Sequence, residues 1–181
     1  MMDTTEQLLE TTAIATNGST IVQAGEVTID FKAPYARVSI FESIKEHTGI
    51  DVSGLDESGL RDVCSRLGIS VAPNVGKGKL IDEIFSERCE SKYIQPTFII
   101  DYPVEMSPLT KKHRSEPGLV ERFELMINGK EIANAYSELN DPIDQRARFE
   151  EQAGLQQHRR ASAIRHGPRA QRAVLLSRQD P

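Results

Sequence analysis

Apolar and polar residues alternate along two short runs, residues 122–127 and 130–136, which are separated only by Asn128-Gly129. A period of two is typical of β-strands that bury one face. Asn-Gly is the pair of residues best able to hold positive φ at both central positions of a type I′ turn. The pattern therefore predicts a β-hairpin within residues 122–141, with a two-residue loop that fixes the register of its strands.

This register determines which side chains share a face. Counting outward from the turn gives four cross-strand pairs: Ile127 with Lys130, Met126 with Glu131, Leu125 with Ile132, and Glu124 with Ala133. Strict alternation then predicts one face with Glu124, Met126, Glu131 and Ala133, and another with Phe123, Leu125 and Ile132. Glu124 and Glu131 become diagonal neighbours, roughly 7–8 Å apart at the backbone, so both carboxylates can reach one ion.

Two carboxylates on one face of a sheet repel each other unless a positive group lies between them. Magnesium suits this position, because it is usually held by one or two protein carboxylates, with phosphate oxygens and water as its other ligands. A solvent-facing strand, in which Glu124 and Glu131 are simply hydrated, explains the same pattern equally well. The hairpin alone therefore leaves a magnesium–nucleotide site and a hydrated strand as alternatives.

Helical periodicity recurs along the rest of the chain. Predicted helices cover residues 3–16 and 40–47, and the second begins at the capping box formed by Ser39 and Glu42. Residues 49–93 contain further short helices, one of them capped by Asp56 or Ser58. Another helix should follow Asn140-Asp141-Pro142, where an Asp cap precedes a Pro in the first turn.

Strand patterns fall between these helices. Residues 20–23 and 26–31 flank Ala24-Gly25 and predict a small hairpin, and the apolar run at residues 97–102 predicts a buried strand beside the central hairpin. Strands and helices in this mixture indicate an α+β fold.

We divide the chain into four segments: a first part of the core at residues 1–48, a helical insertion at 49–93, a core segment with the hairpin at 94–153, and an Arg-rich tail at 154–181.

Composition and charge indicate the cellular compartment of the protein. The formal net charge is −5, although residues 155–181 hold six Arg and a single acid, Asp180. No apolar run approaches the ~20 residues of a membrane span, and nothing resembles a signal peptide. Cys64 and Cys89 show neither metal-ligand spacing nor a disulfide framework, so each is expected to be a buried small residue. We therefore expect a cytoplasmic protein that makes no membrane contact.

The hairpin resembles the one between the second and third signature motifs of class II lysine-tRNA ligases. That family carries Phe-Glu-Leu, Gly-x-Glu-Ile-x-Asn and Ser/Thr-Glu-Leu-Asn-Asp at the spacing seen at residues 123–125, 129–134 and 137–141. The resemblance extends over Ile29-Asp30-Phe31-Lys32-Ala33-Pro34-Tyr35 and Asp101-Tyr102-Pro103-Val104-Glu105-Met106-Ser107-Pro108-Leu109, and reaches about Gln152. It implies part of the antiparallel sheet of a class II synthetase, flanked by helices and carrying a small helical insertion.

The resemblance also implies site residues and ligands. Glu124 and Glu131 would bind Mg²⁺ together with the ATP substrate, Asn134 and Glu138 would contact lysine, and Glu138 would meet the ε-ammonium group. No side chain would need to act as a covalent nucleophile. The partners would be lysine, ATP and tRNA, and the full-length enzyme would be a homodimer. In a regular strand Asn134 and Glu138 face away from Glu131, so we predict a bulge or bend near Ala133-Asn134-Ala135.

Departures from the family pattern leave other functions open. The first, second and third signature motifs are absent, so we expect a partial catalytic domain that makes little or no lysyl adenylate by itself. After Gln152 the chain becomes Arg-rich, which indicates either an RNA-binding arm or a foreign, disordered tail; we favour the tail. The alternatives to a tRNA ligase are a lysine ligase acting on a translation factor, a non-catalytic fragment that binds lysine, magnesium or another subunit, and an inactive product.

Overall fold

The computed structural model of the chain describes residues 1–150 and Gly154. Helices in the first of its two compact units, Met1–Leu139, lie largely where periodicity predicts them. The α-helices there are α1 (Met2–Asn17), α2 (Ile40–Thr48), α3 (Glu57–Arg66) and α4 (Lys77–Arg88), and short 3-10 turns follow at Glu90–Lys92 and Val104–Met106. No helix in the described part of the chain is both long and apolar enough to cross a membrane.

Local capping explains where α2 and α3 begin. Ser39 Oγ accepts a hydrogen bond from the Glu42 amide at 3.2 Å, and Glu42 Oε2 accepts one from the Ser39 amide at 3.2 Å. These two bonds form the predicted capping box and satisfy amides that have no partner within the helix. Asp56 caps α3 by accepting from the Gly59 amide at 2.9 Å. Of the two caps considered for α3, Asp56 is the one used.

The strands form two sheets. They are β1 (Ile21–Ala24), β2 (Val27–Asp30), β3 (Ala36–Ser39), β4 (Thr97–Pro103), β5 (Leu119–Ile127) and β6 (Lys130–Tyr136). β1 and β2 form the predicted small hairpin, and the larger sheet has the order β3-β4-β5-β6. Pairing is antiparallel from β4 to β6, whereas β3 runs parallel to β4. The fold is α+β, as the sequence predicts, with one parallel edge in its main sheet.

The β5–β6 hairpin turns at Asn128-Gly129, with φ of 53° and 66° at these residues. Ile127 pairs with Lys130 and Met126 with Glu131, as predicted. The register then shifts by one residue, because β6 carries an extra residue, Ile132, so the next two pairs are Leu125 with Ala133 and Glu124 with Asn134. The predicted pairs of Leu125 with Ile132 and Glu124 with Ala133 are therefore wrong.

This bulge changes the face assignment beyond it. Ala133 packs with Phe123 and Leu125, whereas Ile132 is 53% exposed. Strict alternation, which ignores the extra residue, had placed Ala133 on the face of Glu124 and Ile132 on the face of Phe123. Both of these predictions are wrong. Asn134, which pairs with Glu124, now shares a face with Glu131. The structure therefore has the predicted bulge, but centred on Ile132 rather than within Ala133-Asn134-Ala135.

A second register shift lies between β4 and β5. Ile100 pairs with Phe123, but Tyr102 pairs with Val120, so two residues of β5 face the single residue Asp101. Asp101 has φ of 59°, in the left-handed region that non-glycine residues seldom adopt. As a result, Ile100 packs on the Phe123 side of the sheet and Tyr102 packs on the Val120 side. The shift thus re-aims Tyr102 to the opposite face.

Both faces of the main sheet are covered. One apolar cluster contains Ile29, Tyr35, Phe98, Phe123, Leu125 and Ile127, with Ala133 and Ala135 at its border. We call the sheet surface that bears Phe123, Leu125, Ala133 and Ala135 the apolar face. A second cluster joins α2, α3 and α4 to the opposite side of the sheet through Ile99, Tyr102, Val120 and Met126. The helices of residues 49–93 therefore share a core with the sheet.

Gly78 allows this helical segment to approach the sheet closely. A Cβ at Gly78 would lie 2.5 Å from the backbone oxygen of Glu105, a distance that real side chains do not tolerate. Lys77 Nζ also lies 3.5 Å from Glu105 Oε1. These contacts hold the first turn of α4 against the 3-10 turn that immediately precedes Ser107.

The second compact unit begins at Asn140, and its described residues are 140–150 and Gly154. Residues 142–150 are helical, as predicted. Asp141 Oδ1 accepts from the amides of Ile143 at 2.9 Å and Asp144 at 3.2 Å, which is the expected N-terminal cap. Apart from Gly154, the Arg-rich tail at 154–181 lies outside the described residues.

Candidate functional site

Glu124 lies at the centre of a polar cluster on the side of the sheet opposite the apolar face. Its side chain is 13% exposed and forms an ion pair with Arg122 through Oε1. The phenol of Tyr102 donates to Oε2 at 2.8 Å, and Asn134 Nδ2 donates to Oε1 at 3.3 Å. We call the surface formed by Tyr102, Arg122, Glu124, Glu131 and Asn134 the acid face.

Asn134 connects the two predicted metal ligands. Its Nδ2 donates to Glu124 Oε1 at 3.3 Å and to Glu131 Oε1 at 3.1 Å. The amide group of Asn134 therefore lies between the two carboxylates, and both carboxylates point towards it. Glu124 and Glu131 share a face as predicted, because Glu131 pairs with Met126 and Met126 alternates regularly with Glu124, whereas Asn134 joins them only through the register shift.

Burial and the neighbouring groups Arg122 and Tyr102 act in opposite directions on the pKa of Glu124. Desolvation raises the pKa of its carboxyl group, while the Arg122 guanidinium and the Tyr102 hydrogen bond lower that pKa and the charge of Glu131 raises it. Burial, together with the adjacent Glu124 carboxylate, also raises the pKa of the Tyr102 phenol, so Tyr102 remains a donor. A carboxylate in this position favours any added positive charge.

Arg122 makes four contacts within this cluster. Besides its ion pair with Glu124, Nη1 donates to Ser107 Oγ at 2.7 Å and Nε donates to Asn134 Oδ1 at 3.2 Å. Its guanidinium carbon lies 4.6 Å from the centre of the Tyr102 ring, which is a cation–π contact. The bond to Oδ1 also sets the orientation of the Asn134 amide, because it leaves Nδ2 directed at the two carboxylates.

Glu138 lies farther along the same chain segment, where β5 and β6 separate and residues 109–112 enter between them. The Lys111 amide donates to the Ser137 carbonyl at 2.8 Å, and the Lys111 carbonyl accepts from the Glu121 amide at 3.1 Å. Glu138 itself forms an antiparallel bridge with Thr110. Glu138 is exposed and lies two residues beyond the end of β6. The structure therefore brings Glu124, Glu131 and Asn134 to one face of the hairpin, and the place of Glu138 beside them stays a prediction.

The donor set is compatible with magnesium. Glu124 and Glu131 supply hard carboxylate oxygens on one face, and magnesium commonly uses only two such groups. Among the described residues, no group of three or more His, Cys, Asp and Glu side chains could hold a metal ion.

A cavity of about 440 Å³ lies at the end of the hairpin where the strands separate. Its lining includes Asp101, His113, Glu121, Arg122 and Tyr136, but none of the four predicted site residues. Arg122 therefore borders both this cavity and the acid face. Of the acid face, this cavity is lined by Arg122 alone.

Sequence reasoning missed three residues of this cluster: Tyr102, Ser107 and Arg122. Arg122 had a usable signal, because a residue two positions before Glu124 on a strand shares its face. Tyr102 had none, because its orientation depends on the register shift at Asp101. Ser107 reaches Arg122 from a separate segment, so only the tertiary fold brings them together.

Comparison of the sequence with known proteins identifies the family to which the chain belongs. The sequence model of the class II tRNA synthetases for Asp, Lys and Asn (D, K and N) matches residues 1–164. The chain therefore belongs to the class II tRNA synthetase family. The match also extends past Gln152, where the resemblance was expected to end.

Individual relatives point to one member of that family. A protein from Porphyromonas gingivalis strain ATCC 33277, named lysine–tRNA ligase, is 66% identical over 155 residues, which are 86% of this chain and 27% of the relative. Proteins with the same name from Christiangramia forsetii and Azobacteroides pseudotrichonymphae are 61% and 58% identical over the same share of this chain, 27% and 31% of their own lengths. The chain thus spans between a quarter and a third of these relatives.

Proposed function

We propose that this chain supplies the magnesium and lysine sites of a lysine–tRNA ligase, an enzyme that activates lysine with ATP and transfers it to tRNA. The observation that carries the proposal is the shared amide of Asn134, which joins Glu124 and Glu131 on one face of the hairpin. The names and identities of the relatives support the choice of lysine.

Glu124 and Glu131 would hold Mg²⁺ in this proposal. When bound, the ion would supply neutralisation of the negative charge on the ATP phosphates, and the reaction that it would assist is attack of the lysine carboxylate on the α-phosphorus with release of pyrophosphate. The residues of this chain contribute orientation and electrostatics rather than a covalent intermediate. Tyr102 and Arg122 hold the Glu124 carboxylate in place, since each binds one of its two oxygens.

Glu138 and Asn134 would recognise lysine. The Glu138 carboxylate pairs with the ε-ammonium group, and this charge match favours lysine over amino acids with uncharged side chains. Asn134 Nδ2 already donates to Glu124 and Glu131, so Asn134 would contact the substrate through the remaining lone pair of Oδ1, which also accepts from Arg122. The bulge at Ile132 is essential to this scheme, because a regular strand would direct both residues away from Glu131.

The remaining expectations concern the complete enzyme. ATP, lysine and tRNA are its substrates, the cytoplasm is its compartment, and a homodimer is its assembly. A second candidate is a fragment that binds lysine or magnesium without forming lysyl adenylate. The coverage of only 27% of the Porphyromonas relative favours this reading for the chain by itself.

A chimeric enzyme tests the proposal. The matched region of this chain replaces its counterpart in the Porphyromonas lysine–tRNA ligase, and lysine-dependent exchange of pyrophosphate into ATP is measured. We expect the chimera to retain exchange and the isolated chain to show little or none. In the chimera, Glu138→Gln should raise the KM for lysine at least about tenfold, as expected for the loss of a charge partner worth more than 1.4 kcal/mol, with a much smaller change for ATP.

Glu87→Gln is the matched control, because it removes the same charge from an exposed position on α4. It should leave both KM values unchanged. Equal losses for lysine and ATP in Glu138→Gln would contradict the lysine-binding role of Glu138. A folded chimera without exchange would contradict the proposal that this chain supplies a functional site, whereas strong exchange by the isolated chain would overturn its description as a partial catalytic unit.

A further inference from the structure

Arg122 already occupies a cation position beside Glu124. Its Nη2 is paired with Glu124 Oε1, and the same oxygen accepts from Asn134 Nδ2. A carboxylate oxygen has two lone pairs, so these two donors use the acceptor capacity of Oε1. A metal ion can therefore coordinate this oxygen only after one of the two donors moves away.

The surroundings of Arg122 fix its guanidinium in this position. Ser107 Oγ, Asn134 Oδ1 and the Tyr102 ring each contact a different part of the group, and the Arg122 side chain is 17% exposed. Glu131 lies on the outer side of Asn134, where its carboxylate is exposed. The two acids are therefore joined by a continuous set of donors from the protein itself, with Arg122 supplying the only full positive charge among these residues.

We propose that Arg122 is the resident counter-cation of the acid pair: it positions Glu124 and Asn134 when no divalent ion is bound, and it competes with that ion for Glu124 Oε1. The inference rests on the proposed function only in treating Glu124 and Glu131 as metal ligands. Arg122 acts on the ion through Glu124, so it is a positioning residue. Its removal should strengthen cation binding, whereas general damage to the site would weaken it.

Manganese binding to the 181-residue chain measures this competition. Mn²⁺ is an oxygen-binding divalent ion whose unbound fraction is visible by electron paramagnetic resonance. Arg122→Met removes the charge but keeps an apolar stem beside Tyr102. We expect it to lower the Kd for Mn²⁺ about tenfold, since a unit charge several ångströms from a divalent ion opposes binding by that order even in a watery environment.

Arg114→Met is the matched control. Arg114 pairs with Glu121 at 2.7 Å rather than with Glu124, and its side chain is 86% exposed. Its removal should leave the Kd within about twofold, because interactions of exposed charges are weak and screened. Ser107→Ala provides a second variant that retains Arg122. By removing one anchor of the guanidinium, it should lower the Kd in the same direction as Arg122→Met, but by less.

The outcomes separate this inference from the metal site itself. Glu131→Gln should abolish Mn²⁺ binding both in the original chain and in the chain that also carries Arg122→Met. If that loss is seen but folded Arg122→Met binds Mn²⁺ no more tightly than the original chain, the role of Arg122 is overturned and the metal site remains. If Mn²⁺ binding is absent from every variant, or survives the double change Glu124→Gln with Glu131→Gln, both the metal site and the role of Arg122 are overturned.

If circular dichroism shows that Arg122→Met does not fold, Ser107→Ala decides the question. A lower Kd for Mn²⁺ in Ser107→Ala supports the competition by Arg122, and an equal or higher Kd overturns that competition.

Discussion

The two faces of the main sheet are built in different ways. On the apolar face, Phe123 and Leu125 follow simple alternation along β5, and Ala133 and Ala135 meet them across the hairpin. On the acid face, Tyr102 and Asn134 reach Glu124 only because the register shifts at Asp101 and at Ile132. The apolar contacts along β5 thus need only a regular strand, whereas the polar cluster requires two irregularities that re-aim individual side chains, one of which also directs Ala133 to the apolar face.

The largest expected effect comes from the apolar face. Leu125 is fully buried, so Leu125→Ala should lower the free energy of unfolding by about 2–5 kcal/mol through lost burial and the cavity left behind. Ile132 is 53% exposed at the bulge, so Ile132→Ala should lower the free energy of unfolding by less than about 1 kcal/mol. Urea denaturation of both variants measures the contrast. Similar losses at the two positions would show that Ile132 is buried in solution and that the bulge is elsewhere.

An intermediate effect should come from the tyrosine hydroxyl groups, one on each side of the sheet. Tyr102 donates to the buried Glu124 carboxylate, so Tyr102→Phe should cost about 1.5–3 kcal/mol of unfolding free energy. Tyr35 belongs to the cluster of the apolar face and donates to the Phe31 carbonyl at 3.2 Å, so Tyr35→Phe should cost about 0.5–1.5 kcal/mol. Chemical denaturation in the absence of divalent ions measures both variants. A larger loss for Tyr35→Phe would argue against the orientation of Tyr102 towards Glu124.

The smallest effect concerns alkaline stability. Burial, followed by the nearby charges of Glu10, Glu6 and Asp30, raises the pKa of Tyr35 to about 12 from its ordinary value of 10.0. Because the folded-state pKa is the higher one, the contribution of Tyr35 is complete below about pH 10 and is lost as the pH rises towards about 12. Unfolding midpoints measured from about pH 9 to about pH 12 should therefore fall more steeply in the original chain than in Tyr35→Phe. Parallel curves would contradict this environment for Tyr35.

Much of the fold could be predicted because its signals are local. The turn at Asn128-Gly129 and the capping box of Ser39 with Glu42 depend on residues within three positions of each other. The parallel pairing of β3 with β4 was not predicted, because it joins segments some sixty residues apart in the sequence. No periodicity within either segment specifies that partner.

The candidate site was predictable in its residue types but not in its register. Resemblance supplied Glu124, Glu131, Asn134 and Glu138, and the conflict between alternation and a common site predicted a bulge. The position of that bulge was one residue wrong, since Ile132 looked like a core residue. Tyr102 could not be predicted, because its direction depends on the positive φ of Asp101, a residue type with only a modest preference for that conformation.

The most direct test of this account is the pairing of β5 with β6 in solution. In the isotopically labelled chain, nuclear Overhauser effects between backbone protons report which residues face each other across the hairpin. We expect contacts of Leu125 with Ala133 and of Glu124 with Asn134. Contacts of Leu125 with Ile132 and of Glu124 with Ala133 would instead show an unbroken ladder, which would contradict the acid face described here.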